Sequence, residues 1–242
     1  HKDKELVYAD NIYKRMYLAS LTKLLTALVV IEKANLDDLV TISSRASNIL
    51  EDGAKLSGFR QGDQIDLESL LNIFLIYSGN DAGIALAEHI SGSEEAFAKE
   101  MNKTAKRIGA VHSNFVNSHG LHDPDHYTTA YDLYLIVNEL LGHEELVSII
   151  SKSSFIGEYI TADGSLKSHQ FMNTNRYLLG RTKLPKNLKV IGGKTGTTSE
   201  AGSCLVLYST GDGGKGYISI ILQAKDGDEL YDQMTYLLNM VE

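Results

Sequence analysis

The last quarter of the chain contains the stretch that decides the fold, CLVLYSTGDGGKGYISIILQ at residues 204–223. Two apolar, strand-like runs, Cys204–Ser209 and Tyr217–Gln223, stand on either side of the glycine-rich segment Gly211–Gly216. Short apolar runs joined by such a turn are typical of a β-hairpin. Asp228–Met240 then returns to the spacing of a helix. The end of the chain is therefore predicted to form antiparallel strands closed by a helix.

The rest of the chain supplies helices and one weak N-terminal strand. A helix is predicted from Ser20 to Asn35, and Glu5–Ala9 alternates weakly enough for a short strand. Further helical windows are Leu67–Tyr77, Asp81–Ile90, Glu94–Ile108 and Thr128–Leu140. We expect an α+β fold: an antiparallel sheet built from the N- and C-terminal segments, flanked by helices, with an inserted all-helical lobe. The sheet lobe would comprise residues 1–35 and 150–242, and the helical lobe residues 36–149.

Composition excludes several classes of function. The 242 residues carry 31 acidic and 23 basic side chains, a formal net charge of −8. This balance argues against a nucleic-acid partner and against docking on anionic lipid. One cysteine, Cys204, excludes an intramolecular disulfide framework and a multi-cysteine metal site, and its strand-like surroundings favour a buried position. No apolar run approaches the ~20 residues of a membrane span, and the chain does not open like a signal peptide.

Ser20-Leu21-Thr22-Lys23 is the first candidate for chemistry. A spacing of three places both side chains on one helix face, and a desolvated lysine can take the proton that makes serine a nucleophile. By itself the tetrapeptide favours an N-capping serine followed by an ordinary surface lysine.

Two further motifs follow. Ser78-Gly79-Asn80 stands between two predicted helices, where a turn can present a hydroxyl and an amide to a cleft; a plain turn with an N-cap is the alternative. Gly193–Thr197, with the sequence GKTGT, offers a cation and a hydroxyl to a carboxylate, or is simply a glycine-rich strand end. A phosphate-binding loop is disfavoured because Leu188 stands where that motif needs glycine.

The order Ser-x-x-Lys, Ser-x-Asn, Lys-Thr-Gly matches the active-site set of penicillin-binding proteins and class A β-lactamases. From Leu6 to Glu242 the chain resembles the low-molecular-mass penicillin-binding proteins that act as serine-type D-alanyl-D-alanine carboxypeptidases. The strings that carry this resemblance are ASLTKLLTAL at 19–28, SGNDA at 78–82, FVNSHGL at 115–121, HYTTAYDL at 126–133 and KTGTTSEAG at 194–202.

The resemblance implies a role for each motif residue. Ser20 would be the acylated nucleophile and Lys23 its base, while Ser78 and Asn80 would shuttle a proton and hold the substrate amide. The terminal carboxylate of the peptide would be bound by Lys194, Thr195, Gly196, Thr197 and Arg176. The backbone N–H groups of the nucleophile and of the last threonine of that motif would form the oxyanion hole.

The same resemblance implies the substrate and the location. The chain would be one catalytic domain that removes the terminal D-alanine from peptidoglycan stem pentapeptides in the bacterial cell envelope, outside the cytoplasm. It would need no metal or other cofactor, and β-lactam antibiotics would be covalent inhibitors. Because only 19 residues precede Ser20, the sheet is expected to lack an edge element. The β-rich second domain and membrane tail of many relatives, and any signal peptide, are expected to be absent from this chain, which we interpret as part of a longer precursor.

Three rival functions stay open. A peptidoglycan endopeptidase uses the same motifs. A class A β-lactamase needs a Glu-x-x-Leu-Asn string to hydrolyse its acyl-enzyme, and none occurs between Ser78 and Lys194. A non-catalytic β-lactam sensor would acylate without cleaving peptide. A metal site at His119, His122 and His126 is disfavoured relative to a solvated loop, since none of them is paired at i, i+4 spacing on an evident helix.

Overall fold

The computed structural model of the protein describes residues 5–241. In this part of the chain, eight α-helices span Thr22–Lys33 (α1), Ser44–Ser47 (α2), Leu67–Ile76 (α3), Asn80–Ser91 (α4), Glu94–Arg107 (α5), Ala130–Leu140 (α6), Glu144–Ser151 (α7) and Gly227–Asn239 (α8). The strands are Leu39–Thr41 (β1), Gln64–Asp66 (β2), Ser154–Ile160 (β3), Leu166–Met172 (β4), Lys189–Thr198 (β5), Gly202–Thr210 (β6) and Gly216–Ala224 (β7). Short 3-10 helices at Ala19–Leu21 and Asp212–Gly214 complete the regular elements.

The predicted C-terminal hairpin is confirmed. Strands β5, β6 and β7 form an antiparallel sheet in that order, with Gly196 opposite Cys204 and Thr210 opposite Gly216. The turn between β6 and β7 needs glycine because Gly213 and Gly214 both have positive φ angles. Helix α8 packs on β6 and β7, and Cys204 is buried as expected.

A second antiparallel sheet has the strand order β1-β2-β3-β4. Its first two strands lie inside the stretch that we expected to be all-helical, so that part of the prediction is wrong. Each of these strands has three residues, which is too short for an alternating pattern to stand out from loop sequence. The hairpin of β3 and β4 also gave a weak signal, because six of the seven residues of β4 are exposed.

The N-terminal strand predicted at Glu5–Ala9 does not form. These residues are exposed and have no ladder partner in the described part of the chain; the first bridge joins Met16 to Thr128. Both sheets therefore consist of residues after position 38, and the N-terminal segment adds no strand to them. The α+β class with antiparallel sheets and helices is confirmed, while the division into two lobes stays a prediction.

Helix α1 occupies the centre of the core. All of its residues from Thr22 to Val30 are buried, as expected for a helix that is packed on every side. The 3-10 turn before it carries Ser20 to the edge of this core, beside β5. Helix α3 is capped by Asp66, which accepts a hydrogen bond from the Ser69 N–H. No helix in residues 5–241 is long and apolar enough to cross a bilayer.

Candidate active site

Ser20 and Lys23 meet as their spacing predicts. Lys23 Nζ lies 3.0 Å from Ser20 Oγ, one helical turn along the chain. The lysine side chain is fully buried. Burial lowers the pKa of Lys23 well below its usual value, and the nearby cation of Lys194 lowers it further. The arrangement favours a neutral amine next to the hydroxyl.

The other contacts of Lys23 orient that amine. Its Nζ donates to Asn80 Oδ1 at 2.8 Å and to the His119 carbonyl oxygen at 2.6 Å. Both atoms can only accept hydrogen bonds. A neutral amine has two N–H bonds and one lone pair, so these two acceptors leave the lone pair for the hydroxyl of Ser20. This geometry would allow Lys23 to act as a base toward Ser20.

Ser78 and Lys194 form the second part of the site. Ser78 lies in the turn between α3 and α4, with a positive φ of 74° that is unusual for a residue with a side chain. Lys194 Nζ donates to Ser78 Oγ at 2.9 Å and to the Thr195 carbonyl oxygen at 3.0 Å. Burial lowers the pKa of Lys194 to about 7, with a smaller contribution from the cation of Lys55. Near neutral pH this side chain is therefore poised between its charged and neutral forms.

The glycine of the Lys-Thr-Gly motif has a steric explanation. A Cβ atom on Gly196 would lie 2.7 Å from the backbone nitrogen of Ser20 and 3.0 Å from the carbonyl oxygen of Leu18. Only glycine lets β5 pass this close to the turn that carries the serine. Thr195 and Thr197, on either side, line the cleft that results.

Arg176 reaches the rim of the cleft but is engaged there. Its Nη1 atom donates to Asp228 Oδ1 at 2.6 Å, and its guanidinium lies 4.9 Å from the ring centre of Tyr231. The side chain is 40% exposed. The hydrogen bond from Arg176 to Asp228 raises the arginine pKa. Arg176 thus stands at the cleft as an ion-paired cation.

The structure gathers every predicted site residue around one cleft of about 400 Å³, a volume typical of small-ligand sites. Lys23 and Lys194 lie buried beneath it. The predicted residues in its lining are Ser20, Ser78, Asn80, Arg176, Thr195, Gly196 and Thr197.

Sequence reasoning missed a buried hydrogen-bond chain behind the serine. His126 Nδ1 accepts from the Val116 N–H, which leaves Nε2–H to donate to Thr22 Oγ1 at 2.7 Å. Thr22 Oγ1 in turn donates to the carbonyl oxygen of Ala19 at 2.8 Å. Ala19 directly precedes the serine and has a φ of 47°, so this chain braces a strained residue.

The expectation of a solvated histidine loop is wrong for two of its three members. His119 and His126 are each 3% exposed, and only His122 faces solvent. Burial lowers the pKa of His126 to about 3, so the ring is neutral at physiological pH. Within residues 5–241 no cluster of three or more metal-ligating side chains is present. The sequence around a histidine in a loop does not indicate whether the ring is buried or exposed to solvent.

The comparisons with known proteins agree with this geometry. The profile of peptidase S11, D-alanyl-D-alanine carboxypeptidase, matches residues 2–226, and the chain belongs to this family. It is 34% identical over 97% of its length to the D-alanyl-D-alanine carboxypeptidase DacF of Bacillus subtilis, of which it covers 58%. It is 32% identical over 85% of its length to a D-alanyl-D-alanine endopeptidase of Pseudomonas aeruginosa, of which it covers 63%.

Solved structures extend the similarity to the whole fold. The crystal structure of the Streptomyces K15 DD-transpeptidase matches with a TM-score of 0.88 and 27% identity, over 97% of this chain and 90% of that one. The chain spans less than two thirds of the length of the curated relatives named above.

Proposed function

We propose that this chain is the catalytic part of a serine-type D-Ala-D-Ala carboxypeptidase. The observation that carries the proposal is the buried Lys23 amine, 3.0 Å from Ser20 Oγ, whose other two hydrogen-bond partners can only accept. Family membership supports the same substrate class.

Acylation begins at Ser20. Its Oγ attacks the carbonyl carbon of the penultimate D-alanine while its proton passes to the lone pair of Lys23. The developing oxyanion accepts hydrogen bonds from the backbone N–H groups of Ser20 and Thr197. The close approach of Gly196, the neighbour of Thr197, to the Ser20 nitrogen supports this pairing.

The leaving group is protonated on the Ser78 side. Because Ser78 Oγ already accepts a hydrogen bond from Lys194, its own O–H is free to point at the nitrogen of the departing D-alanine. That nitrogen takes a proton from Ser78, and Ser78 recovers one from the protonated Lys23 amine. Asn80 Oδ1 is occupied by Lys23, so its Nδ2 is left to hold a carbonyl of the substrate on the acyl side of the scissile bond. Water then hydrolyses the acyl-enzyme and releases Ser20.

The terminal carboxylate is recognised on the β5 side. Lys194 supplies a buried cation, Thr195 and Thr197 supply hydroxyls, and Arg176 adds a second cation at the rim. Contacts at this range explain how a chain with a net charge of −8 binds an anion, because the charge of the distant surface is screened.

The substrate class also sets the partners and the place of action. Peptidoglycan stem peptides are the partners, and β-lactams, which carry a carboxylate beside a reactive amide, acylate Ser20 as substrate mimics. The site of action is the bacterial cell envelope outside the cytoplasm. We propose no nucleic-acid partner.

The test is release of D-alanine from diacetyl-L-Lys-D-Ala-D-Ala, with mass spectrometry of the penicillin adduct. The wild-type chain releases D-alanine and gains one penicilloyl group on Ser20, while Ser20→Ala does neither. Acylation without release of D-alanine would identify a β-lactam sensor. Rapid, burst-free turnover of penicillin would identify a β-lactamase.

An endopeptidase is the second candidate, favoured by the similarity to the Pseudomonas aeruginosa enzyme. The two activities differ in the leaving group: free D-alanine for a carboxypeptidase, and a cross-linked stem for an endopeptidase. Comparing kcat/KM on a pentapeptide stem and on a cross-linked dimer separates them. We expect the pentapeptide to react faster, because the buried Lys194 cation suits a leaving group whose carboxylate is close to the scissile bond.

A further inference from the structure

A third lysine faces the cleft, outside the three motifs. Lys55 lines the same cavity as Ser20, Ser78 and Asn80. It lies in the loop between α2 and β2, where nothing in the sequence pattern distinguishes it. Its ammonium sits 3.9 Å from the ring centre of Tyr77, a cation–π contact.

The backbone of Lys55 is held on both sides. Its carbonyl oxygen accepts the Asn80 N–H at 2.7 Å, which ties it to the start of α4. Two residues further on, Ser57 donates its N–H and its hydroxyl to the buried carboxylate of Asp81, at 2.7 and 2.9 Å. Lys55 is therefore positioned by the same turn that positions Ser78 and Asn80.

The charge of Lys55 has no counter-ion in the part of the chain that the structure describes. Among residues 5–241 no carboxylate lies within ion-pair distance of its ammonium, in contrast to Arg176, which is paired with Asp228. Burial lowers the pKa of Lys55, and no neighbouring acid acts in the opposite direction. A half-buried cation that has an aromatic contact but no counter-ion among the described residues favours a ligand that supplies the anion.

We propose that Lys55 binds a second carboxylate of the substrate, on the acyl side of the scissile bond. The site thereby selects stem peptides that are anionic N-terminal to their D-Ala-D-Ala end. This inference rests on the proposed function, in which the terminal carboxylate is taken by Lys194, Thr195 and Thr197. Lys55 adjoins Asn80, which we assign to the acyl-side amide. The carboxylate that Lys55 binds is therefore not the terminal carboxylate of the peptide.

Two positions in a stem peptide can carry this carboxylate. One is the side chain of the third residue, and the other is the free α-carboxylate of a γ-linked D-glutamate before it. The shared chemistry is a carboxylate within reach of a flexible lysine. Matched substrates separate the two sources: acetyl-L-2-aminoadipyl-D-Ala-D-Ala against its side-chain amide, and a γ-D-glutamyl-L-Ala-D-Ala-D-Ala peptide against its isoglutamine form.

The measured quantity is the ratio of kcat/KM for the carboxylate over the amide in each pair. For a partly desolvated charge pair we expect a ratio of about 10 in at least one pair for the wild-type chain. Lys55→Met brings that ratio to about 1, and Lys55→Arg keeps it because the charge is kept. Lys55→Glu inverts it and favours a substrate with a free lysine side chain at the third position. Lys99→Met, an exposed charge change on α5, is the control and leaves the ratio at its wild-type value.

The outcomes distinguish this inference from the proposed function. If the wild-type chain releases D-alanine from both members of every pair at equal rates, or if Lys55→Met keeps the preference, the inference is wrong while the carboxypeptidase stands. If Lys55→Met slows every substrate and benzylpenicillin by one common factor, Lys55 serves the terminal carboxylate, which also overturns the inference. If no member releases D-alanine, the proposed function itself fails. Labelling of Ser20 by a fluorescent penicillin shows that each variant is folded.

Discussion

Lys194 Nζ donates a hydrogen bond of 2.9 Å to Ser78 Oγ and so joins strand β5 to the turn between α3 and α4 across the cleft. Both residues are buried, and the contact connects segments 116 positions apart. The lysine that we assign to the substrate carboxylate therefore also orients the Ser78 hydroxyl, which we assign to proton transfer. Its state of charge therefore has consequences for the binding of that carboxylate.

The first prediction concerns the pH profile of acylation. The pKa of Lys194 is lowered to about 7, so the cation that attracts a carboxylate is present below this pH and lost above it. Lys23 acts in the opposite sense, because its amine must be neutral to accept a proton; its lowered pKa raises the fraction of neutral amine at any given pH. Stopped-flow acylation of Ser20 by benzylpenicillin should therefore give a bell-shaped profile whose alkaline limb begins near pH 7 and falls at most about tenfold per pH unit.

Lys194→Arg is the matched control for that limb. Arginine stays charged at all accessible pH values, so the alkaline limb should disappear from the profile even where the larger side chain lowers the rate overall. A wild-type rate that stays level from pH 6 to 9 would contradict the assigned role of the Lys194 charge.

The second prediction tests the close approach of Gly196. In Gly196→Ala the new Cβ would lie 2.7 Å from the Ser20 nitrogen, so β5 must move away and the oxyanion donors separate. Loss of one such donor costs on the order of 10²- to 10³-fold in rate. We expect acylation by penicillin to fall by this factor while the chain stays folded by circular dichroism. Gly211→Ala, in the distant β6–β7 turn, should keep the wild-type acylation rate; an equal loss in both variants would point to general destabilisation.

How much of this site was predictable depends on distance along the chain. The pairing of Ser20 with Lys23 follows from helical geometry, and the C-terminal hairpin follows from local apolar runs and glycines. Lys55 and His126 gave no such signal, because their roles depend on contacts with Tyr77 and Thr22 that only the folded chain creates. The short strands β1 and β2 were missed for a different reason: three residues are too few to show the alternation of a strand.

The third prediction uses the buried His126 ring. Its pKa of about 3 in the folded chain is lower than in the unfolded chain, so between pH 6.5 and 3 only the unfolded chain gains a proton there. This group therefore adds no penalty above pH 6.5 and destabilises the fold progressively as the pH falls through that window, by at most about 1.4 kcal/mol per pH unit.

His126→Gln should remove that contribution while keeping a donor for Thr22. Urea unfolding at pH 7 and pH 4.5 measures it: the variant should lose less stability on acidification than the wild-type chain, by about 2 kcal/mol. His122→Gln, at an exposed position of the same loop, should lose as much stability between pH 7 and pH 4.5 as the wild-type chain. If all three chains lose stability in parallel, the His126 ring takes up its proton in the folded state.

The fourth prediction isolates the backbone strain at Ser78, whose φ of 74° costs a residue with a Cβ roughly 1 to 2 kcal/mol. Ser78→Ala and Ser78→Gly both delete the hydroxyl that accepts from Lys194, so both should lose acylation by about 10²-fold or more. They differ in strain: glycine tolerates the positive φ, and part of that gain is offset by the greater freedom of glycine in the unfolded chain. Ser78→Gly should therefore be more stable than Ser78→Ala by about 1 kcal/mol in urea unfolding.

Ala96→Gly in α5 is the control. Here glycine should be less stable than alanine by about 1 kcal/mol, because residue 96 has a helical backbone. If Ser78→Gly is less stable than Ser78→Ala, the positive φ at this position costs no strain energy, and this prediction is wrong.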